Sequence, residues 1–315
     1  MKFAILGHLI DENTIKQLPK EWVKENIIIS PELDINGTFG TIAAIKYTAK
    51  QIMSEPQEEI RKSILEAAVH LQDEFDVGII QLGALNTSIT SGGVWVAKQE
   101  KYKGFVNHGD SYTAAVTCQA VRKSLQHFNL DSSEKTLAIV GAYGVIGEAV
   151  SKILVPEFSN SILIGRREEK LKELENQVKG SFVTTTKMNT KEADVVVTAT
   201  SHPTALLNSS HLKKGAIVVD VSQPVNVSLE LCQERPDIHR IDGGYVDFPI
   251  ILPIPGMPPY KNFACIAEAI MQAMENEKKN HVGSIDLEHM KKTERWAENY
   301  GFIISELTNY GKRIE

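Results

Sequence analysis

The chain has 315 residues, 34 lysines and arginines against 40 aspartates and glutamates, a formal net charge of −6 and 42% hydrophobic residues. This is ordinary globular composition with length for about two domains. No apolar run approaches the ~18 residues of a membrane span, and an acidic balance argues against nucleic acid as a partner.

The first third alternates strand-like and helix-like segments. Residues 2–6 and 26–30 read as short buried strands. Ile60, Ile64, Ala67, Ala68 and Leu71 recur at helical spacing, which predicts an amphipathic helix over 56–75. Strands follow at 77–80 and 104–107, the second ending in His108-Gly109-Asp110, with Asp110 as the expected N-cap of a helix over 111–127. The polar segment 128–135 is the expected domain boundary. Beyond it come strand 136–141, helix 147–155, strand 161–165, helix 167–178, strand 194–199, a helix or turn at 207–213, and strands 215–221 and 237–242. Strands at this spacing with helical crossovers imply a doubly wound parallel sheet. Five of the twelve prolines fall within 248–262, an irregular connection, and helices over 262–279 and 285–300 close the chain. The expected organisation is α/β: an α/β substrate domain over 1–127, a Rossmann-type domain over 128–250, and C-terminal helices over 251–315 that return to the first domain.

The sharpest motif is GAYGVIG at 141–147, between an apolar strand and a helix. Gly141 allows the tight turn, Gly144 lets backbone approach a pyrophosphate, and Gly147 lets helix pack on strand. With Tyr143, Val145 and Ile146 these residues make up the expected phosphate-binding turn, at a helix N-terminus that favours anions. The second strand of an NAD-binding domain usually ends in an acidic residue; here it ends in Arg166-Arg167. Two guanidiniums suit a 2′-phosphate and so NADPH. The other reading is that both begin a solvated helix, RREEKLKELE, whose charges pair along its surface. Ala199–Pro203, with Thr200 and Ser201, and the stretch from Asp220 through Ser222 also end strands where a cofactor would lie. So does Gly243 in Asp242-Gly243-Gly244. For each, a plain polar loop is an equal reading.

Three cysteines without a CxxC pair exclude a disulfide framework and a cysteine zinc site. No histidine or carboxylate cluster shows metal-ligand spacing, so no metal is expected. Cys118 lies inside the helix over 111–127 and Cys232 in a loop, both structural. Cys265 falls in the first turn of the helix from about Asn262, where dipole and unpaired N–H groups favour a thiolate. A buried, inert cysteine is the competing reading. His8 and His108 end strands and read as packing or capping residues as readily as cleft residues. The opening MKFAILGHLIDENT turns acidic too soon for a secretory signal, so a cytoplasmic location is expected.

These segments together resemble the long-chain acyl-(acyl-carrier-protein) reductases of cyanobacteria, which form fatty aldehydes. The likeness runs through ILGHL at 5–9, LGALNTSIT at 82–90, HGDSYTAAVTCQAV at 108–121, the GAYGVIG turn, IDGGYVD at 241–247 and NFACIAEAIMQAMEN at 262–276. The FACxAEA segment is its most specific part. The resemblance implies that Cys265 is a nucleophile that attacks an acyl thioester, and that NADPH reduces the resulting thioacyl-enzyme to an aldehyde. Ser88, Asp110, Tyr112 and Thr113 are candidate polar groups beside it, although Tyr112 stands where that family has a histidine. It further implies an acyl-carrier-protein or acyl-CoA substrate and an aldehyde-consuming partner enzyme. An acidic carrier would call for a local basic face, for which Lys98, Lys101, Lys103 and Lys261 are candidates. Two other readings stay open. One is a shikimate-type dehydrogenase, which needs a Lys–Asp pair and finds only Lys46 and Asp110 without context. The other is a non-catalytic NADP-binding sensor.

Overall fold

A computed structural model describes residues 1–9, 11, 13–202 and 204–314, with Gln17 described by its backbone alone. In chain order its elements begin with β1 (Lys2–Leu9), α1 (Thr14–Gln17), β2 (Ile27–Ile29), β3 (Leu33–Ile35), β4 (Thr38–Thr48), α2 (Ala49–Ser54), α3 (Gln57–Phe75), β5 (Val77–Leu82), α4 (Leu85–Ile89), α5 (Val94–Ala97) and β6 (Phe105–Asn107). Then come α6 (Asp110–His127), β7 (Thr136–Val140), α7 (Val145–Leu154), β8 (Asn160–Ile164), α8 (Glu168–Glu175), β9 (Phe182–Thr185), β10 (Val195–Thr198), β11 (Ile217–Asp220), α9 (Leu229–Glu234), β12 (His239–Asp242) and β13 (Tyr245–Asp247). The chain closes with β14 (Lys261–Phe263), α10 (Ala264–Met274), α11 (Leu287–Tyr300), β15 (Thr308–Asn309) and β16 (Lys312–Arg313).

These elements form two compact units. The first gathers residues 1–109, 248–286 and 295–302; the second gathers 110–247, 287–294 and 303–315. The division falls at Gly109–Asp110, whereas the sequence suggested 127/128. The reason is α6, which packs on α7, β11 and β12 and so belongs with the second unit. The polar stretch 128–135 is a loop inside that unit. The segment 251–315, expected as one C-terminal block, divides between both units.

The first unit is built on a sheet of order β2-β4-β1-β5-β6, with β3 also on β4. β4, β1, β5 and β6 run parallel, and β2 and β3 are antiparallel to β4. Because side chains alternate along a strand, β1, β4 and β5 sort their residues onto two faces. Ala4, Leu6, Ala43, Ile45, Ile80 and Leu82 join a core with Ile60, Ile64, Ala67, Ala68 and Leu71 of α3. Each large aliphatic side chain buried there contributes roughly 1.5–3 kcal/mol. α10 also packs on β1, β4 and β5. β3 and β4 were not anticipated: an Ala- and Gly-containing run such as TFGTIAAIKYT carries little strand signal by itself.

The second unit is a six-stranded, wholly parallel sheet of order β12-β11-β10-β7-β8-β9. Read in chain order this is the Rossmann arrangement, and its strand order reverses between β7 and β10. Ala138, Val140, Val196 and Val218 fill its core, as near-continuous apolar strands covered on both faces require. Cys232, expected in a loop, lies in the short helix α9. Asp110 is the first residue of α6 and not its cap.

Candidate active site

In the first unit the second face of the sheet carries Ile5 and Gly7 of β1, Ile42 and Ala44 of β4, and Gln81 of β5, followed by Gly83. All of them line a cavity of about 250 Å³. Small side chains make it: Gly7, Ala44, Gly83 and Ala84 leave a volume that α10 does not fill. Pro253, Ile254 and Pro255 from the proline-rich connection, together with Phe263, Cys265 and Ile266, complete the lining. The cavity is apolar apart from a few groups.

Cys265 is the second residue of α10. Most of that helix is buried, yet Cys265 is half-buried, at the end that reaches the cavity. The N-cap residue Phe263 makes no side-chain capping bond, and helix geometry leaves the first-turn N–H groups without intrahelical partners. Gly109 lies against Cys265. Its φ is +76°, and a side chain there would collide with the Cys265 main chain and Cβ. The middle and far end of α10 are held from β6: Asn107 Nδ2 donates to Glu268 Oε1 at 3.1 Å and to Gln272 Oε1 at 2.7 Å, while Asn107 Oδ1 accepts the Gly109 N–H. All three side chains are fully buried. This triad was not singled out from sequence, although Glu268 and Gln272 stand one helical turn apart in an otherwise apolar helix.

His8, Gln81, Thr14 and Ser30 are polar residues of the cavity lining that sequence reading undervalued or missed. The His8 Nδ1 lies 2.8 Å from Leu9 O, so this nitrogen carries the proton and donates to that carbonyl. Burial holds the His8 ring below its usual pKa, against the opposing pull of the Leu9 bond, and keeps it neutral. Gln81 Nε2 donates to Leu82 O at 2.9 Å. The remaining acceptors, His8 Nε2 and Gln81 Oε1, are buried without partners among the described residues.

The other candidates stand elsewhere. Ser88 is exposed on α4 and does not line the cavity. Tyr112 and Thr113 are buried in α6, and Asp110 is half-buried at its start, all in the second unit. Cys118 is buried in α6, and desolvation pushes its thiol up to about 12, as suits an inert core cysteine. Glu277 and His281, four residues apart, are bonded at 3.0 Å, a pairing that sequence reading passed over. Lys98, Lys101 and Lys103 are exposed and Lys261 is half-buried. Lys46 donates to Glu25 O.

In the second unit, Gly141 follows β7 with φ +88°, and a Cβ there would run into Ala199 O beyond β10. The turn therefore sits at the point where strand order reverses, where ligands of such sheets bind. Gly144 is the N-cap of α7, with no side-chain cap. The N–H groups of Val145 and Ile146 donate to no described residue; Val145 is exposed and Gly147 is buried against the Gly141 main chain. The Tyr143 ring covers Gly165, its hydroxyl accepts from Arg166 N–H at 3.0 Å and Arg167 N–H at 3.1 Å, and the Arg167 guanidinium lies 5.4 Å from the ring centroid. Ion pairs do form along α8, such as Glu168–Lys172, yet neither Arg166 nor Arg167 joins one among the described residues.

Ser222 is buried and accepts from Thr200 N–H at 3.0 Å, so these two residues brace each other; Ser201 is exposed. Pro203, at the end of that stretch, lies outside the described residues. Asp220 and Asp242 flank Arg240, at 3.4 Å and 2.7 Å, in a buried cluster with Thr198, Thr308 and the Tyr310 ring. Burial pushes the Asp220 carboxyl up, against the pull of Arg240. Gly243 packs on Val219 and its carbonyl accepts from Thr117 Oγ1 at 3.0 Å. Among the described residues, no helix is long and apolar enough to cross a membrane.

Residues 122–242 match the profile of the family described as shikimate/quinate 5-dehydrogenase. The long-chain acyl-[acyl-carrier-protein] reductase of Synechococcus elongatus is 28% identical over 207 residues, 62% of this chain and 60% of that protein. The aminotransferase PigE of a Serratia species is 26% identical over 233 residues, 70% of this chain and 27% of that protein. The chain thus spans less than two thirds of either relative's length. Among solved structures, L-tryptophan dehydrogenase from Nostoc punctiforme shares 12% identity at a TM-score of 0.46, over 96% of this chain and 80% of that one. Shikimate dehydrogenase from Aquifex aeolicus shares 14% at 0.43, over 93% and 97%. The second unit is an NAD(P)-binding domain like that of the shikimate dehydrogenases, in a fold of oxidoreductase type.

Proposed function

We propose that the chain is an NADPH-dependent acyl-thioester reductase that forms an aldehyde through a thioacyl-enzyme on Cys265. The observation that carries this is the half-buried Cys265 thiol, in the first turn of α10, at the lining of an apolar cavity. An acyl chain seeks such a cavity by the hydrophobic effect, and a thiol at a helix N-terminus is in the position that favours thiolate. The likeness to the acyl-[acyl-carrier-protein] reductase agrees with it.

The residues present fit the cofactor. The Gly141 turn has no room for a side chain, and the Val145 and Ile146 N–H groups stand ready for a pyrophosphate. The guanidiniums of Arg166 and Arg167, free of ion pairs among the described residues, would hold the 2′-phosphate that distinguishes NADPH. Thr200 and Ser201, on the strand end beside the turn, and Gly243 would border the remainder. Bound NADPH supplies the hydride equivalent for the reduction.

Cys265 does the covalent work. Its thiolate attacks the thioester carbonyl carbon, a new C–S bond forms, and the carrier thiol leaves with a proton from solvent. After reduction of the acyl carbon, the Cys265 sulfur is expelled as thiolate and the aldehyde is released. First-turn N–H groups of α10 would receive the oxyanion of both steps, a contribution of about 2.7–4 kcal/mol per donor. The acyl chain lies in the cavity against Ile5, Ile42 and Ile266. The carrier is acyl-carrier-protein or coenzyme A, and an enzyme that consumes the aldehyde is the natural partner. Lys98, Lys101 and Lys103 offer a basic surface for an acidic carrier.

The test is covalent. Incubation with acyl-CoA thioesters of graded length, without NADPH, should add one acyl mass at Cys265, and Cys265→Ala should abolish both adduct and aldehyde. A shikimate-type dehydrogenase would survive that substitution. If no thioester in the series acylates Cys265, the mechanism falls.

A further inference from the structure

Strand register gives the cavity a long direction. Gly7 of β1 pairs with Ala44 of β4, Ala44 pairs with Ile28 of β2, and Gly83, one residue past β5, lies beside Gly7. These four residues line the cavity as one row across four strands. A second row, from Gln81 to Ser30, runs alongside. The cavity is thus two residues wide along β4 and four strands long across the sheet. Its ends differ. At one stands Cys265, against Gly109 just past β6, the neighbour of β5. At the other, the row of small residues stops at the Ile28 side chain, and Val23 bridges Ile28 on the edge away from β4. Trp22, next to Val23 in the chain, lines the cavity at that end. Between the ends, Gly7 leaves room: a Cβ there would meet one described atom within 4 Å, Ala43 O at 3.9 Å. A glycine inside a strand weakens it and marks a place where something approaches closely.

We infer that the acyl chain lies across the strands from Cys265 to Ile28 and Trp22, and that these two residues end it, so that the substrates are medium-chain thioesters. This rests on the acyl-thioester reading and names its substrate class. Three strand spacings of about 4.8 Å span roughly 14 Å, and an extended alkyl chain advances about 1.25 Å per inclined C–C bond, which makes room for about eleven carbons. Volume agrees: a cavity of about 150 Å³ holds benzene, so one of about 250 Å³ holds about ten carbons. Each methylene that enters adds about fourfold to binding. One that meets Ile28 and Trp22 adds nothing unless that wall moves, and forcing extra methylenes into packed side chains is itself unfavourable.

The experiment uses the full chain and straight-chain acyl-CoA thioesters of four to eighteen carbons, each below the concentration at which it forms micelles. The initial rate of Cys265 acylation is read by intact mass without NADPH. The rate should climb to a maximum near ten carbons, and sixteen carbons should react at least ten times more slowly than ten. Gly7→Val places a strand-forming residue in the middle of the row, so the rate for ten carbons relative to four should fall at least tenfold. Trp22→Ala opens the far end, so the rate for sixteen carbons relative to ten should rise at least tenfold. Ile28→Ala opens the same end, should act likewise, and serves if Trp22→Ala does not fold. Equal rates for ten and sixteen carbons in the unaltered protein would overturn the inference and leave the thioester reading intact. So would a ten-to-four ratio that Gly7→Val does not lower, or a sixteen-to-ten ratio that neither end substitution raises. Adducts at no chain length would bring down the thioester reading and this inference together.

Discussion

At Arg166 the main-chain N–H bonds the Tyr143 hydroxyl while the guanidinium stays exposed, with no ion pair among the described residues. The backbone is fixed and the charge is left available. Arg166→Ala and Arg167→Ala should each weaken NADPH binding about ten- to a hundredfold, the equivalent of one charge-assisted bond of about 1.5–3 kcal/mol, with little change for NADH. Fluorescence titration with both dinucleotides checks this; equal losses for the two would mean that the arginines do not read the 2′-phosphate. His8 supports a second expectation. Its folded-state pKa is depressed by burial, so below the ordinary value of about 6.5 the unfolded chain takes up a proton that the folded chain refuses. Stability then falls as pH drops from about 6.5 to the lower folded-state value, and is flat in this respect above 6.5. Urea titrations between pH 5 and 8 should show a slope that His8→Gln reduces, His239, likewise held below its usual value by burial, supplying part of the remainder, and an identical slope in the variant would refute it. The arginines were legible because a motif fixes where a strand ends. His8 and Gln81 were not, since a lone polar residue in an apolar strand has no sign of which face it takes until the strand's partners are known.

Helix α10 shows how an element is held so that one of its residues can react. Asn107 reaches it from β6 with both amide protons and returns its oxygen to Gly109. Asn107→Ala would remove three buried bonds at once, two to α10 and one from the Gly109 N–H. At roughly 0.5–1.5 kcal/mol for each, and more for the bond to the Glu268 carboxyl, a loss of about 2–4 kcal/mol is expected, along with slower Cys265 acylation. A fall in the urea midpoint of the unit's unfolding measures the first, and an unchanged midpoint would show that the triad contributes nothing. Gly109→Ala should disturb the same spot from the other side, since its side chain meets the Cys265 main chain. The position of Cys265 in the first turn was readable from the apolar stripe of α10. The triad was not, because it joins positions more than 160 residues apart. β4 escaped notice for another reason: it is a largely buried inner strand whose alternation is blurred by small residues.

At the scale of the whole chain, the two units differ in how openly the sequence declares them. The second follows a strict strand–helix rhythm with a glycine turn at its reversal point, so periodicity and one motif suffice. The first mixes antiparallel and parallel strands and draws α10 from far along the chain, so its membership is set by long-range pairing that local pattern does not carry. The boundary moved for the same reason: a polar loop at 128–135 looks like a linker, but the packing of α6 on α7 decides where it belongs. With a core in each unit, each ligand should be read in the unit that holds its contacts. NADPH at a hundredfold excess over its dissociation constant stabilises what it binds by about 2.7 kcal/mol. In hydrogen exchange, added NADPH should therefore slow β7, β8 and the start of α7, and lose that effect in Arg166→Ala at the same concentration. Acylation of Cys265 should slow β1, β4 and β5, whose inner residues line the cavity. Protection of the β1–β4–β5 segments by NADPH alone, with β7 and α7 unchanged, would mean that the glycine turn is not the dinucleotide site and would reverse the assignment of the two units.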